Sequence, residues 1–252
     1  MSNLRLLALI TLILAATASM AQVGSHRNEL AVGVSGGYAL SQVGFTPRVP
    51  QDQLGGITMG ATVRYTSEKY FNSVCAIVAE ANVMQTGWKE RIQTIDNLPV
   101  TNLQGDAYEE YSRKLTYLQV PVFARLGWGR ERNGLQFFFQ AGPQVGFFLG
   151  EKTESTFNPL TPNTENRTSG VIAQYKMPVE RRFDYGIAGG IGLEFSNRHI
   201  GHILLDVRYY YGLGDIYGNS KSDYFARSNL TTISVKMTYL FDILKSKDAN
   251  IK

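Results

Sequence analysis

The 252-residue sequence contains one cysteine, Cys75, so no disulfide bond can form within the chain. Small exported domains often depend on disulfides, and this chain must be stabilised in another way. The sequence has three histidines, no block of basic residues despite a formal charge of +4, and no nucleotide-binding loop or zinc motif. His199 and His202 bracket one predicted turn, but two ligands fall short of a zinc site. We therefore expect no nucleic acid partner, no metal and no cofactor.

Only one end of the chain has an apolar run that suggests a membrane segment. Arg5 precedes an apolar stretch over residues 6–16, and Ser19-Met20-Ala21 fits a small-x-small cleavage site. This pattern predicts a cleaved signal peptide over residues 1–21, and the alternative is an uncleaved anchor. No later run reaches the length of a transmembrane helix. We expect one domain over residues 22–241 and a polar tail over residues 242–252.

The sequence does contain short segments that alternate between apolar and polar residues. From Ile57 to Thr66, every odd position is apolar and every even position is polar or glycine. Successive strand side chains point to opposite faces, so such a strand has one apolar and one polar face. A soluble barrel would turn the apolar face inward, whereas an outer-membrane barrel would turn it toward lipid.

Eight segments have this strand character, and the connections between them alternate in length. Short connections cover residues 67–72, 128–134 and 197–200, and long ones cover 41–55, 88–112, 151–181 and 215–227. This alternation is typical of short periplasmic turns and longer outer loops. It predicts an all-β, eight-stranded, antiparallel up-and-down transmembrane barrel with both termini in the periplasm. Ten strands are the alternative, if residues 151–181 hold another hairpin. The predicted strands are residues 29–40, 56–66, 73–87, 113–127, 135–150, 182–196, 201–214 and 228–241.

The polar faces of these strands combine charges of both signs with glycine. Glycine weakens a strand interior, but a narrow eight-stranded interior needs small residues to make room for side chains. Buried charges must be paired, so we expect a salt-bridged plug, with Asp206 and Lys236 at similar height. Aromatic residues near strand ends, among them Trp88, are predicted to face the membrane interface. The predicted interior network is Arg64, Glu80, Gln119, Arg125, Asp184, Glu194, Asp206, Arg208 and Lys236.

Several of these segments resemble the PorT-like outer-membrane β-barrel family of Bacteroidetes. The similar stretches are Tyr117-Leu118-Gln119-Val120-Pro121-Val122 with Arg125, Ala141-Gly142-Pro143, Phe183-Asp184-Tyr185-Gly186, Gly189-Gly190-Ile191-Gly192-Leu193-Glu194, and Asp206-Val207-Arg208-Tyr209 with Gly212-Leu213. The chain departs from the family at Gln119, where glutamate is common, and in its polar tail. The resemblance implies a small outer-membrane barrel, and for some members an accessory role in protein secretion.

The sequence predicts no catalytic residue. Barrel enzymes that use histidine at the outer rim would lack their base here, because no histidine falls at that rim in the predicted topology. We expect a non-enzymatic barrel that contacts outer-membrane lipid and presents long loops, with envelope or secretion proteins as possible partners. A narrow solute or ion pore and a soluble, lipocalin-like periplasmic barrel are the alternatives.

Overall fold

The computed structural model describes residues 25–165, 167–218 and 224–245. The predicted signal peptide and residues 246–252 of the predicted tail lie outside this part. In this part, one short 3-10 helix covers Ala173–Tyr175. In the described part, no helix has the length and apolar character needed to cross a membrane. The strands are β1 Ser25–Thr46, β2 Gln51–Asp52, β3 Leu54–Tyr70, β4 Ser73–Glu90, β5 Tyr111–Gly129, β6 Gly134–Ser155, β7 Phe183–Asn197, β8 Gly201–Asp215 and β9 Arg227–Leu244.

The eight long strands form a closed antiparallel ring. Each pairs with the next long strand along the chain, and β1 pairs with β9 to complete the ring, so none of them keeps a free edge. The two-residue β2 adds to β4 beside the ring. The predicted eight-stranded up-and-down barrel is therefore confirmed. Between β6 and β7 the described residues hold the 3-10 helix and no further hairpin, so the ten-strand alternative is wrong.

Most strands run further than the sequence predicted. β1 was predicted over residues 29–40 but covers Ser25–Thr46, and its last residues pair with the first residues of β9. Chain pairing continues there beyond the alternating apolar pattern that marked the predicted strand ends. Two assignments consequently change: His26 lies within β1 and not before it, and Asp242–Leu244 lie in β9 and not in the tail.

The connections divide the barrel into two ends. At the short-turn end lie residues 71–72, 130–133 and 198–200, together with the start of β1 and the end of β9. At the long-loop end lie residues 47–53, 91–110, 156–165, 167–182, 216–218 and 224–226. The predicted alternation of short and long connections is present around the whole ring.

The two faces of the barrel differ in polarity. Outward-facing side chains such as Ile187, Leu193 and Val207 are apolar and about half exposed, while the inward-facing side chains between them are buried. A soluble lipocalin-like barrel requires the reverse arrangement, an apolar interior and a polar exterior, so this geometry disfavours that alternative. The prediction for Trp88 is wrong: its ring is fully buried and points inward, because β4 turns its even-numbered residues to the interior.

Candidate functional site in the barrel interior

All nine residues of the predicted interior network are buried inside the barrel. Seven of them form two ion-pair clusters at different heights. Gln119 lies beside Asn82 on the neighbouring strand, and Asp184 accepts a 2.6 Å hydrogen bond from the hydroxyl of Tyr210. The two clusters account for most of the charge in the interior.

The mid-barrel cluster consists of Glu80, Asn82, Asp206, Arg208 and Lys236. Arg208 donates to both carboxylate oxygens of Glu80, at 2.7 and 2.8 Å, and it also binds Asp206. Lys236 Nζ donates to Glu80 Oε2 at 2.8 Å and to Asn82 Oδ1 at 3.0 Å. Two cations are thus matched by two anions, which is the condition for keeping charges away from water.

The short-turn cluster is centred on Glu194 of β7. Arg64 donates to Glu194 Oε1 at 2.7 Å, and Arg125 binds the other carboxylate oxygen. The guanidinium of Arg125 also lies 3.7 Å from the centre of the Phe138 ring, a cation–π contact. His202 Nδ1 lies 2.6 Å from Glu194, and its Nε2 lies 2.9 Å from Asp242. Two arginines and one histidine therefore surround a single buried carboxylate.

Ser196, His202 and Asp242 lie close enough together to invite comparison with a hydrolytic triad. Ser196 Oγ is 2.9 Å from His202 Nδ1. That nitrogen also contacts the Glu194 carboxylate, however, and an imidazole that donates from both nitrogens to carboxylates holds both protons and cannot accept one from serine. Ser196 is also 1% exposed, so its hydroxyl is closed to a substrate. The arrangement makes His202 a further cation of the short-turn cluster.

Glycine makes room for these clusters, as the sequence predicted. A Cβ atom at Gly192 would come within 2.5 Å of the Phe138 ring and 2.7 Å of Asp206 Cβ. Phe138, Ala31, Leu204 and Leu240 form a small apolar layer between the two clusters. The interior therefore alternates between charged and apolar layers with little space between them.

An apolar cap fills the long-loop end of the barrel. Its buried aromatic residues are Phe45, Trp88, Tyr111, Tyr217 and Phe225. The Phe45 ring packs edge-on against Trp88, with ring centroids 5.2 Å apart, and lies 4.8 Å from Phe225. Trp88, Tyr217 and Phe225 are fully buried, and Phe45 and Tyr111 are almost fully buried.

Arg113 fastens the β6–β7 loop over this cap. Its Nη1 donates to the Met177 carbonyl oxygen at 2.7 Å and to the Tyr217 hydroxyl at 3.2 Å, and its Nη2 lies 2.7 Å from Glu151. Burial raises the pKa of the Tyr217 phenol, which keeps the hydroxyl neutral. The loop thus contributes to the closure and not only to the surface.

Glu90 is a buried carboxyl group beside the cap. It lies at the end of β4, beyond Val83, which is the last exposed large apolar side chain of that strand. It accepts hydrogen bonds from Gln174 Nε2 at 2.8 Å and from the Tyr175 hydroxyl at 2.7 Å. Burial raises the pKa of Glu90 above its ordinary value, although these hydrogen bonds oppose the shift. Burial, assisted by the neighbouring Glu90, also raises the pKa of Tyr175.

The β5–β6 turn closes the short-turn end. Glu131 of this turn binds Arg27 of β1 at 2.9 Å and Lys69 of β3 at 2.6 Å, and Arg132 binds Glu29 of β1 at 3.0 Å. In the ring, β1 lies opposite β5 and β6, so these ion pairs cross the mouth. Behind them, the space beside Arg64, Arg125 and Glu194 measures about 20 Å³, room for roughly one water molecule.

The sequence interpretation missed Trp88, His202 and Asp242 as interior residues. Residues an even number of positions apart on a strand point to the same face, and this spacing could have identified all three. Trp88 is an even number of positions from the interior residue Glu80 on β4, His202 from Asp206 on β8, and Asp242 from Lys236 on β9. Each lies at or beyond the predicted end of its strand, where the alternation was not followed. Among the described residues, no group of histidine, cysteine and acidic side chains could hold a metal ion.

A closed antiparallel barrel with an apolar exterior and a charged, filled interior defines a class, the integral β-barrel membrane proteins. Within it, the chain belongs to the outer membrane protein beta-barrel domain family, whose model matches residues 20–218. The family places the protein in the bacterial outer membrane. The narrower PorT-like assignment stays a prediction.

Solved structures of outer-membrane proteins are similar to the chain. Ail of Yersinia pestis is 16% identical with a TM-score of 0.34, over 84% of this chain and 99% of that one. Neisserial surface protein A is 10% identical with a TM-score of 0.38, over 87% and 100%. OprG of Pseudomonas aeruginosa is 15% identical with a TM-score of 0.40, over 86% and 98%. No curated protein matches the chain.

Proposed function

We propose that this protein is a closed, non-enzymatic outer-membrane barrel that presents an ordered loop structure at the cell surface. The short-turn end and both ends of the barrel chain face the periplasm, and the long-loop end faces outward. The observation that carries the proposal is the filled interior, in which two ion-pair clusters and the apolar cap occupy successive heights. A lumen filled in this way transmits no solute, so function falls to the loops and the lipid-facing surface.

Planar-bilayer recording tests the closed interior. Purified protein whose unheated form migrates faster on a gel, which shows a folded barrel, is inserted into the bilayer. We expect no steady conductance. Stable, protein-dependent steps would contradict the proposal and favour the alternative, a narrow ion pore through the charged clusters.

Labelling of introduced cysteines tests the orientation. In a Cys75→Ser background, Leu103→Cys probes the long-loop end and Phe71→Cys probes the short-turn end, since both side chains are strongly exposed. A membrane-impermeant maleimide added to intact cells should label the first variant alone, and both should be labelled after cell lysis. Labelling of the second variant alone in intact cells would reverse the orientation.

The resemblance to PorT-like barrels supports a narrower form of the proposal, an accessory role in protein secretion. It predicts that deleting the gene in the native host reduces the amount of secreted protein, and that plasmid-borne expression restores it. If the deletion strain secretes an unchanged set of proteins, the secretion role is wrong and the surface-presentation role is retained.

A further inference from the structure

The β4–β5 loop folds into two tight hairpins with apolar residues at their tips. One turn is closed by a 3.0 Å hydrogen bond from Asn97 N to Thr94 O, and the other by a 3.0 Å bond from Gly105 N to Asn102 O. Asn97 and Gly105 adopt positive φ angles of 60° and 75°, which these residue types tolerate. The turns thereby raise Ile95 and Leu103 to the tips.

These tip residues are among the most exposed apolar side chains of the barrel. Ile95 is 81% exposed and Leu103 is 68% exposed, with Leu98 at 62% between them. Proline and polar residues are the common choice at such turn positions. Apolar side chains that occupy turn positions usually taken by polar residues, and that contact little of their own chain, mark candidate interaction surfaces.

The hairpins are held in place by the β6–β7 loop, so the tips stand on an ordered base. Thr168 Oγ1 lies 2.8 Å from the carbonyl oxygens of Gln93 and Thr94, which share its single hydroxyl proton, and Asn163 Nδ2 donates to Thr101 O at 2.9 Å. Beneath them, Arg167 and Glu109 form a buried ion pair. Because the surface is already ordered, a partner would lose little free energy in organising it.

The charge around the tips is opposite in sign to that of the whole chain. Of the four acidic residues in 91–110, Glu109 is paired with Arg167 and Glu110 with Lys89, so Asp96 and Asp106 supply the negative charge beside the tips, whereas the full chain carries +4. Asp96 follows Ile95 directly, and Asp106 closes the second hairpin by accepting a 2.6 Å bond from Asn102. This charge repels anionic lipid and the same tips of a second copy, and it attracts a basic surface.

We propose that the two tips, Ile95 with Asp96 and Leu103 with Asp106, form the docking surface for a partner protein with an apolar contact surface rimmed by basic residues. The inference rests on the proposed function, because an extracellular partner needs the long-loop end outside the cell. The apolar tips supply the buried contact area, and the two carboxylates select against acidic partners.

A peptide-binding assay tests the docking surface without depending on cellular orientation. The full chain is placed in phosphatidylcholine nanodiscs, with empty nanodiscs as the blank. The probe is a fluorescent amphipathic peptide of leucine and lysine, and the comparison peptide replaces each lysine with glutamate. Fluorescence anisotropy should show binding of the lysine peptide about tenfold tighter than that of the glutamate peptide.

Paired variants separate the two contributions. Ile95→Ser with Leu103→Ser should weaken binding of the lysine peptide about tenfold. Asp96→Asn with Asp106→Asn should weaken binding and flatten its dependence on salt concentration. Phe71→Ser, which removes an exposed apolar side chain at the opposite end, should leave binding unchanged.

Three outcomes would overturn the docking surface: equal affinity of the unmodified protein and both tip variants, equal affinity for the two peptides, or tip-dependent binding to phosphatidylglycerol vesicles in place of the lysine peptide. Tip-dependent peptide binding combined with reversed cysteine labelling would retain the docking surface and remove the proposed orientation. Cysteine labelling in the expected orientation without tip-dependent peptide binding would retain the proposed orientation and remove the docking surface.

Discussion

Lys236 of β9 forms its ion pair with Glu80 of β4, across the interior of the barrel. Its direct neighbour on β8 is Asp206, an acidic residue at the same height, which is bound by Arg208. The Lys236–Glu80 ion pair therefore links two strands that are not adjacent in the ring. Glu80 thereby becomes the common acceptor of two cations, which ties one wall of the barrel to the other.

Removing the charge of Lys236 should destabilise the barrel strongly. Lys236→Met leaves the mid-barrel cluster with one cation for two carboxylates, and breaking a buried ion pair in this way costs about 3–5 kcal/mol. Urea unfolding in detergent micelles, followed by the loss of the faster-migrating gel band, measures the effect.

Lys152→Met is the matched control, because Lys152 pairs with Glu154 on the exposed end of β6. Exposed pairs contribute about 0–1 kcal/mol, so this variant should unfold close to the unmodified protein. Equal unfolding midpoints for the two variants would show that the mid-barrel pairs do not hold the strands together.

A methyl group added at Gly192 should also destabilise the barrel. Gly192→Ala places a Cβ atom against Phe138 and Asp206, and overpacking of a filled interior costs about 1–3 kcal/mol. Gly150→Ala is the control on β6, where the added atom meets nothing within 4 Å. The midpoint of urea unfolding should fall for the first variant only, and an equal fall in both would point to backbone effects instead of packing.

The sequence interpretation succeeded where alternation was regular. The polar faces of β5, β7, β8 and β9 were assigned correctly because one-residue alternation fixes the face once the strand is recognised. Asp206 and Lys236 were predicted at similar height, and they lie directly opposite each other on β8 and β9.

The prediction failed where a strand leaves the lipid. Beyond Val83, the outward residues of β4 become polar while the inward Trp88 is apolar, so the pattern that marks a membrane strand reverses. An aromatic residue at that height then has the signature of an interfacial anchor. Interior packing with Phe45 and Phe225 decides its position, and these partners are distant in sequence.

Fluorescence quenching should separate the two tryptophans by location. Trp88 is fully buried in the cap, and Trp128 is partly exposed at the outward face of β5. In Trp128→Phe, emission from Trp88 should resist both aqueous acrylamide and brominated lipid. In Trp88→Phe, emission from Trp128 should be quenched by at least one of them. Quenching of Trp88 by brominated lipid would return it to the membrane interface.

The cap should become less stable as the pH rises, because of Glu90. Burial raises the pKa of Glu90 in the folded state above 4.5, its ordinary value, so the folded state holds this proton more tightly than the unfolded state does. The stabilisation from the neutral carboxyl is therefore complete below pH 4.5 and is lost as the pH rises through the folded-state pKa.

Glu90→Gln keeps a neutral group of the same size that can still accept from Tyr175, and it should remove this part of the pH dependence. Thermal melts of Trp88 fluorescence in the Trp128→Phe background, between pH 4 and pH 8, measure it. Parallel pH profiles with and without Glu90→Gln would show that Glu90 does not set the stability of the cap.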